Sequence, residues 1–463
     1  MLPIHTAEQV RAADAAQIAV LPEGELMQRA ARGLAEALRE ELAGRASSVL
    51  LLVGPGNNGG DALYAGALLA AEGVETMAWR VMDTCHMGGW ESFVDAGGHE
   101  VDQATAVLGT VAVVVDGVFG VGARAGLPAP VAEVARACRN AAVRVVAVDM
   151  PSGLEADSCV VADDAFTAAR TVTFGTYKRC QFLEPARSRC GVVTLVDIGL
   201  EPEAAEVVAW EPADVADTWP YPDATSDKYS RGVVGIDTGS PDYPGAGVMS
   251  TLGAVYAGAG MVRSLGADAV FEAVTRVLPN VVRADGRVQA WLAGSGWGSH
   301  HEGRLAQLLE MRLPIVVDAD ALSQVPERLN RPDVLLTPHA GELARLLGTE
   351  RTDVTADPVK AVRLAVKRFG TTVLLKGATQ YVGGPGDDRV HLAVPGPAWT
   401  AQAGSGDVLA GICSTLLAAG LDPVAAAVCG ASIQAMTAAA HPGPHPPQDI
   451  ARLLPETIAA LRA

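Results

Sequence analysis

The stretch Val49 to Asp61, VLLLVGPGNNGGD, decides the fold. Its opening run is apolar without alternation, as in a strand buried on both faces of a parallel sheet. The remainder is a glycine loop leading into a helix near Ala62, where glycines let backbone approach a ligand and the helix N-terminus offers unpaired N–H donors. A bare strand-to-helix turn needs only the glycines; two asparagines and an aspartate add side-chain oxygens where the sheet opens. Outward from this point, β-branched runs at Val111 to Val115 and Val143 to Val148 alternate with alanine-rich helical stretches, predicting a sheet wrapped by helices. Before it, Met1 to Ala46 reads as helical, with Thr6 and Gln9 in a capping-box pattern.

A second set of short strands is expected at Val233 to Ile236, Val288 to Leu292, Ile315 to Val317, Val334 to Leu336 and Thr372 to Leu375. Between the two sets, Glu201 to Lys228 is rich in proline and acids and reads as a surface linker. The chain is thus expected to hold two α/β domains, residues 1–214 and 215–463, and its 463 residues suffice for two cores. In such sheets ligands sit beyond the carboxyl ends of the strands, which directs attention to the residues that follow them.

The balance of 53 acidic against 35 basic side chains, a net charge of −18, argues against nucleic acid and anionic membrane as partners. No run approaches the roughly 18 uninterrupted apolar residues of a span, since Asp422 and Pro423 cut the apolar stretch from Gly411 to His441. Seven cysteines without a CxxC pair read as reduced, packed thiols, and an N-terminus carrying Glu8, Arg11 and Asp14 does not resemble a signal peptide; a soluble, cytoplasmic protein is expected.

In the first half, a strand ends at Asp116 and runs into Gly117-Val118-Phe119-Gly120, and another ends at Asp149-Met150-Pro151-Ser152-Gly153. One strand-terminal aspartate can simply cap a turn. Three oxygen-rich strand ends point to a shared site, and oxygen donors without histidine suit a monovalent or alkaline-earth cation rather than zinc.

GPGNNGGD, DGVFGVG and DMPSG, with TAEQVRAAD before them and TVTFGTYK after, resemble the NAD(P)H-hydrate epimerase domain over roughly residues 1 to 210. The resemblance implies a Rossmann-like three-layer sandwich that interconverts the C6 epimers of hydrated NAD(P)H, NADHX and NADPHX. It implies that Asn57, Asn58, Gly59, Gly60 and Asp61, with the loop Gly120, Val121, Gly122, Ala123, Arg124, Ala125 and Gly126, hold the dinucleotide. Asn58, Asp116 and Ser152 would surround a potassium ion, and Asp149 would be the acid/base. Where the family motif has a further glycine, this chain has Ala62.

In the second half, Ala403-Gly404-Ser405-Gly406-Asp407 opens an alanine-rich helix, presenting glycine N–H groups beside a carboxylate that can take a proton from a hydroxyl. The combination suits phosphoryl transfer to an alcohol; the bland alternative is a helix entry with a dipole-favoured aspartate. Other strands run into Lys376-Gly377-Ala378-Thr379, Thr337-Pro338-His339 and Asp318-Ala319-Asp320. GSPDYPGAG, LAGSGWG, VVDADAL, LLTPHAGELARLLG, LLKGAT and GSGDVLAG resemble the ADP-dependent NAD(P)H-hydrate dehydratase, a ribokinase-like three-layer sandwich. By that resemblance Lys376, Gly377, Ala378, Thr379 and Gln380, with Gly404, Ser405 and Gly406, bind ADP. Ala246, Gly296, Gly298, His339 and Asp407 contact the hydrated cofactor, Asp407 is the base, and Mg²⁺ accompanies the nucleotide. LAGSGWG and PAWTAQAGSGD depart from the family's usual loops, so Trp297, Trp399 and Gln402 are expected to reshape the pocket.

The combined expectation is a bifunctional repair enzyme, assembled as a homo-oligomer. Its rivals are a vitamin or sugar kinase with a non-catalytic N-terminal binding domain, which leaves the first-half motifs without a job, and a non-enzymatic interaction module, which has no need of Asn58, Asp116 and Asp149.

Overall fold

The computed structural model describes residues 1–43, 48–283, 286–298 and 301–462. The chain forms two compact units, Pro3–Ala205 and Glu206–Ala463, the latter joined by Met1–Leu2. The division falls before residue 215 because Val207–Ala209 is a buried strand paired in parallel with Val390–Leu392. The expected surface linker is therefore partly interior: helix Pro212–Thr218 follows, and Val215 and Trp219 join the second unit's core.

In the first unit a sheet runs in the order His99–Glu100, Glu75–Arg80, Ser48–Val53, Val113–Gly117, Arg144–Val148, Arg170–Phe174, Val192–Val196. Every pairing is parallel. The central strand explains its own composition: Val49, Leu51 and Val53 enter one core, Leu50 and Leu52 the other, so both faces are covered. Helix Glu25–Leu42 covers the first face with Leu34 and Leu38 fully buried, each contributing about 2 kcal/mol by burial. Strand order reverses between Ser48–Val53 and Val113–Gly117, the topological switch point where such sheets open a crevice.

The N-terminal segment corrects the sequence expectation. Leu2–His5 is a strand parallel to Tyr177–Lys178, and the helix starts only at Ala7. Pro3 cannot sit inside a helix, and Thr6 caps the one that follows: Gln9 N donates to Thr6 Oγ1 at 3.2 Å and Thr6 N to Gln9 Oε1 at 3.1 Å. Residues 44 to 46, the end of the expected helical stretch, lie outside the described residues.

The second unit orders its parallel strands Met261–Ser264, Val233–Asp237, Ala290–Ala293, Ile315–Val317, Val334–Leu336, Thr372–Leu375. An antiparallel extension through Tyr381–Gly383 and Val390–Leu392 follows. Its order reverses between Val233–Asp237 and Ala290–Ala293, beside the Gly294–Gly298 loop. Helices Pro244–Tyr256, Ser405–Ala418 and Pro423–Ala440 contribute to its core. Among the described residues Pro423–Ala440 is long and apolar enough to cross a membrane, contrary to the sequence reading, and 72% of it is buried in the protein. Asp422 and Pro423 do not interrupt it; they cap and start it, Asp422 Oδ1 accepting from Val424 N and Ala425 N at 3.0 Å. Six of the seven cysteines are buried, and Cys85 is half-buried.

Candidate functional sites

A cavity of about 1270 Å³ opens at the switch point of the first unit. Asn57, Asn58 and Asp61 from helix Asn57–Ala71, the loop Gly120–Gly126 and Asp149 line it together. Gly59 and Gly60 do not line it; they sit behind the wall. A Cβ on Gly59 would lie 2.1 Å from the Gly54 carbonyl oxygen, so the strand and helix meet there with no room for a side chain. Gly59→Ala is expected to destabilise the unit by about 1–3 kcal/mol and to lower activity at this site, measurable by urea unfolding beside the assay. Ala62 is buried within the helix, and its φ is not among the left-handed ones, so it replaces a glycine without strain.

Asp149 is the most constrained residue of the site. It holds a left-handed backbone, φ 66, fixed by Asp149 N donating to Val172 O at 2.7 Å and Gln181 Nε2 donating to Asp149 O at 2.8 Å. Such strain in a non-glycine residue persists only where neighbours over-determine it. Its Oδ1 accepts from Lys178 Nζ at 2.5 Å and Thr173 Oγ1 at 3.0 Å. Lys178 is 1% exposed and also donates to Thr173 Oγ1 and Phe174 O. Lys178 ends TVTFGTYK and Asp14 lies within TAEQVRAAD, and both line the same cavity, roles that the local sequence pattern does not reveal. The available signal was an ionisable residue in each motif, one ending a strand and one facing it from a helix.

Asp116 and Ser152 form a buried cluster apart from the residues lining the cavity. Ser152 donates to both Asp116 oxygens, from N at 2.7 Å and Oγ at 2.6 Å, and burial still raises the Asp116 carboxyl to about 6. Asn58 Nδ2 donates to Val148 O at 2.8 Å and Phe119 O at 3.3 Å. Two carbonyls, an amide, a hydroxyl and one carboxylate make an all-oxygen donor set with a single formal charge, which fits a monovalent cation.

In the second unit the strand ends also converge. Lys376 Nζ donates to Asp318 Oδ1 at 2.6 Å, Thr337 Oγ1 to the same oxygen at 2.7 Å, and Ser295 Oγ to Asp318 Oδ2 at 2.9 Å. Lys376 Nζ lies 3.3 Å from where a Cβ on Gly406 would be, which ties the LLKGAT strand end to the N-terminus of helix Ser405–Ala418. Asp407 in the first turn is raised to about 6 by burial and by Asp318, with Lys376 opposing. Burial works to lower Lys376, but Asp318, then Glu342 and Asp407, carry it above the ordinary lysine value. Asp318, quoted as a strand end but given no role, is the hub of this cluster.

Ala246 packs on the glycine loop, its Cβ 2.5 Å from a Cβ built on Gly296, and Gly296 and Gly298 hold φ 67 and 61. Gly298 N donates to Asp320 Oδ2 at 2.9 Å. His339 caps helix Ala340–Leu347: its Nδ1 accepts from Gly341 N and Glu342 N, and Glu342 Oε2 accepts from His339 N at 2.8 Å. Gly377, Ala378, Thr379 and Gln380 follow strand Thr372–Leu375, and among the described residues Gln380 Oε1 is buried with no hydrogen-bond partner. Trp297 is fully buried, its Nε1 donating to Asp237 O at 2.8 Å, and acts as packing beneath the glycine loop. Trp399 is 54% exposed, and Gln402 ties Trp399 O to His445 O.

Known proteins match both units. The family described as YjeF-related protein N-terminus matches residues 23–180, and that described as NAD(P)H-hydrate dehydratase matches 234–459. The bifunctional NAD(P)H-hydrate repair enzyme Nnr of Mycobacterium tuberculosis is 40% identical over 436 residues, 90% of this chain and 89% of that protein. The chain belongs to the bifunctional NAD(P)H-hydrate repair enzyme family. The Mycobacterium leprae member of this family is 41% identical over 477 residues, 98% of each chain. Among solved structures, the ADP/ATP-dependent NAD(P)H-hydrate dehydratase from Bacillus subtilis, co-crystallised with ATP and Mg²⁺, superposes with a TM-score of 0.51 at 23% identity. It covers 56% of this chain and all of its own, a likeness of fold.

Proposed function

We propose that the Pro3–Ala205 unit interconverts R- and S-NAD(P)HX and that the Glu206–Ala463 unit dehydrates S-NAD(P)HX to NAD(P)H with ADP as phosphate donor, releasing AMP and phosphate. The observation that carries the reading is shared by both units: a carboxyl beside a lysine, buried in the first unit and part-buried in the second, at the carboxyl ends of parallel strands.

In the first unit Gly120 to Gly126 and the start of helix Asn57–Ala71 take the dinucleotide, and Asp149, which lines the same cavity, acts on the carbinolamine. Asp149 exchanges protons as the C6 hydroxyl leaves and water returns through an iminium-like intermediate. Lys178 and Thr173 fix the carboxylate's orientation. Asn58, Asp116 and Ser152 would hold a potassium ion, whose charge offsets the Asp116 carboxylate.

In the second unit Lys376 to Gln380 and Gly404 to Gly406 take the nucleotide, the helix N-terminus facing its phosphates. Ala246, the Gly296 and Gly298 turns and His339 take the hydrated cofactor. Asp407 removes the C6 hydroxyl proton as that oxygen takes the terminal phosphoryl group of ADP and AMP leaves; loss of phosphate from C6 with a proton from C5 then restores the C5–C6 double bond. Magnesium would be held through the nucleotide's own phosphates, as is usual where the protein offers no dedicated cage; among the described residues no group of three His, Cys, Asp or Glu is placed to hold a metal. The test is nucleotide dependence: with ADP and S-NADHX, one AMP is expected per NADH formed, whereas product formation equal in rate without nucleotide overturns the dehydratase reading.

A further inference from the structure

Departure of the C6 hydroxyl as water requires a proton, and the Asp149 carboxylate is gripped by the Lys178 ammonium at 2.5 Å. Five carboxyls line the first cavity, Asp14, Glu23, Asp61, Asp149 and Asp164; Glu23 is exposed, Asp164 accepts from Leu127 N at 3.2 Å, and the Lys178 ammonium is already spent on Asp149. Asp61 lies in the opening turns of helix Asn57–Ala71, is 6% exposed, and among the described residues its carboxyl has no hydrogen-bond partner. Burial, then repulsion from Asp149 and Asp14, pushes it well above the usual carboxylate range. Asp14 is a weaker candidate because Lys178 works against its rise. Two carboxyls in one cavity, one paired with an ammonium and the other without such a partner, are the usual arrangement of a base and its acid.

We propose, resting on the epimerase reading of this cavity, that Asp61 is the catalytic acid: its carboxyl protonates the departing C6 hydroxyl while Asp149 takes the proton of the returning water. The C6–O bond breaks with its electron pair on oxygen, which takes the Asp61 proton and leaves as water; the N1 lone pair forms the C6–N1 double bond. On return, water oxygen bonds to C6, N1 regains its pair, and the surplus proton passes to Asp149. A proton passing from Asp149 to Asp61 through cavity water restores the starting state, so no further reactant is consumed.

The test follows R-to-S conversion of NADHX by chromatography without nucleotide, using the full chain. Asp61→Asn keeps size and a neutral donor but has no proton to transfer. Its kcat is expected to fall about 100-fold or more, with KM within about 2-fold and dehydration of S-NADHX unchanged. Asp61→Glu, which keeps a transferable proton, is expected to turn over at least about 10-fold faster than Asp61→Asn. Wild-type kcat in Asp61→Asn, a change confined to KM, or equal rates for the two variants overturns the assignment. A wild-type chain that interconverts no epimers overturns the reading of the cavity and the acid with it.

Discussion

Replacing Asp407 with asparagine is expected to lower the dehydration rate by about 10³-fold, the scale of a lost general base, while leaving epimerisation at the wild-type rate. The same substitution is expected to raise the unfolding temperature. Asp407 is raised from 3.8 to about 6 by burial and by Asp318, so the folded protein binds this proton more tightly than the unfolded chain. The stabilisation that comes with protonation is complete below the unfolded value near 4 and is lost as pH rises through about 6. At neutral pH the ionised carboxylate therefore costs the fold on the order of 2 kcal/mol, which asparagine relieves. The functional counterpart has the opposite sign. A base must be ionised, so kcat/KM for dehydration is expected to fall as pH drops through about 6, with epimerisation following a different profile. A variant both inactive and less stable would contradict the assignment of Asp407 as a strained, functional carboxylate.

Asp149→Ala is expected to do the reverse on activity and the opposite on stability. It removes the group that takes the proton of the returning water in the first cavity, abolishing epimerisation and sparing dehydration. It also leaves Lys178, 1% exposed, with only Thr173 Oγ1 and Phe174 O as partners. An ammonium so buried without its counter-charge costs about 3–5 kcal/mol, which urea unfolding of the intact chain should register as loss of the first transition's midpoint. Asp149→Asn, which tolerates the left-handed backbone and can still hydrogen-bond Thr173, should be equally inactive but less destabilised. Equal loss of both activities in either the Asp149 or the Asp407 variants would contradict two independent sites.

The parts of this architecture legible in the sequence are those written in local chemistry. VLLLV followed by a glycine loop gives a strand buried on two faces, with the loop at a switch point of the sheet. The aspartates 116, 149 and 407 stand at strand or helix ends, where short-range pattern is enough to find them. What escaped depends on register between distant segments. Lys178 reaches Asp149 only because strand Arg170–Phe174 pairs with Arg144–Val148 and brings the end of TVTFGTYK beneath the strand end. Asp318 becomes a hub because three neighbouring segments deliver Ser295, Thr337 and Lys376 to it. Leu2–His5 lacks any pattern long enough to distinguish a strand from a helix start, and its partner lies far along the chain. The burial of Trp297 in LAGSGWG, with its indole N–H donating to Asp237 O at 2.8 Å beneath the loop, likewise depends on a distant segment.

The most direct test of the central claim is recovery of absorbance in the dihydronicotinamide band when the intact chain, Mg²⁺ and ADP are added to a mixture of R- and S-NADHX. Two working sites predict nearly complete recovery, because the first unit feeds the R epimer to the second. Recovery that stops at the S fraction would contradict the epimerase half, and no recovery with either ADP or ATP would contradict the repair function altogether.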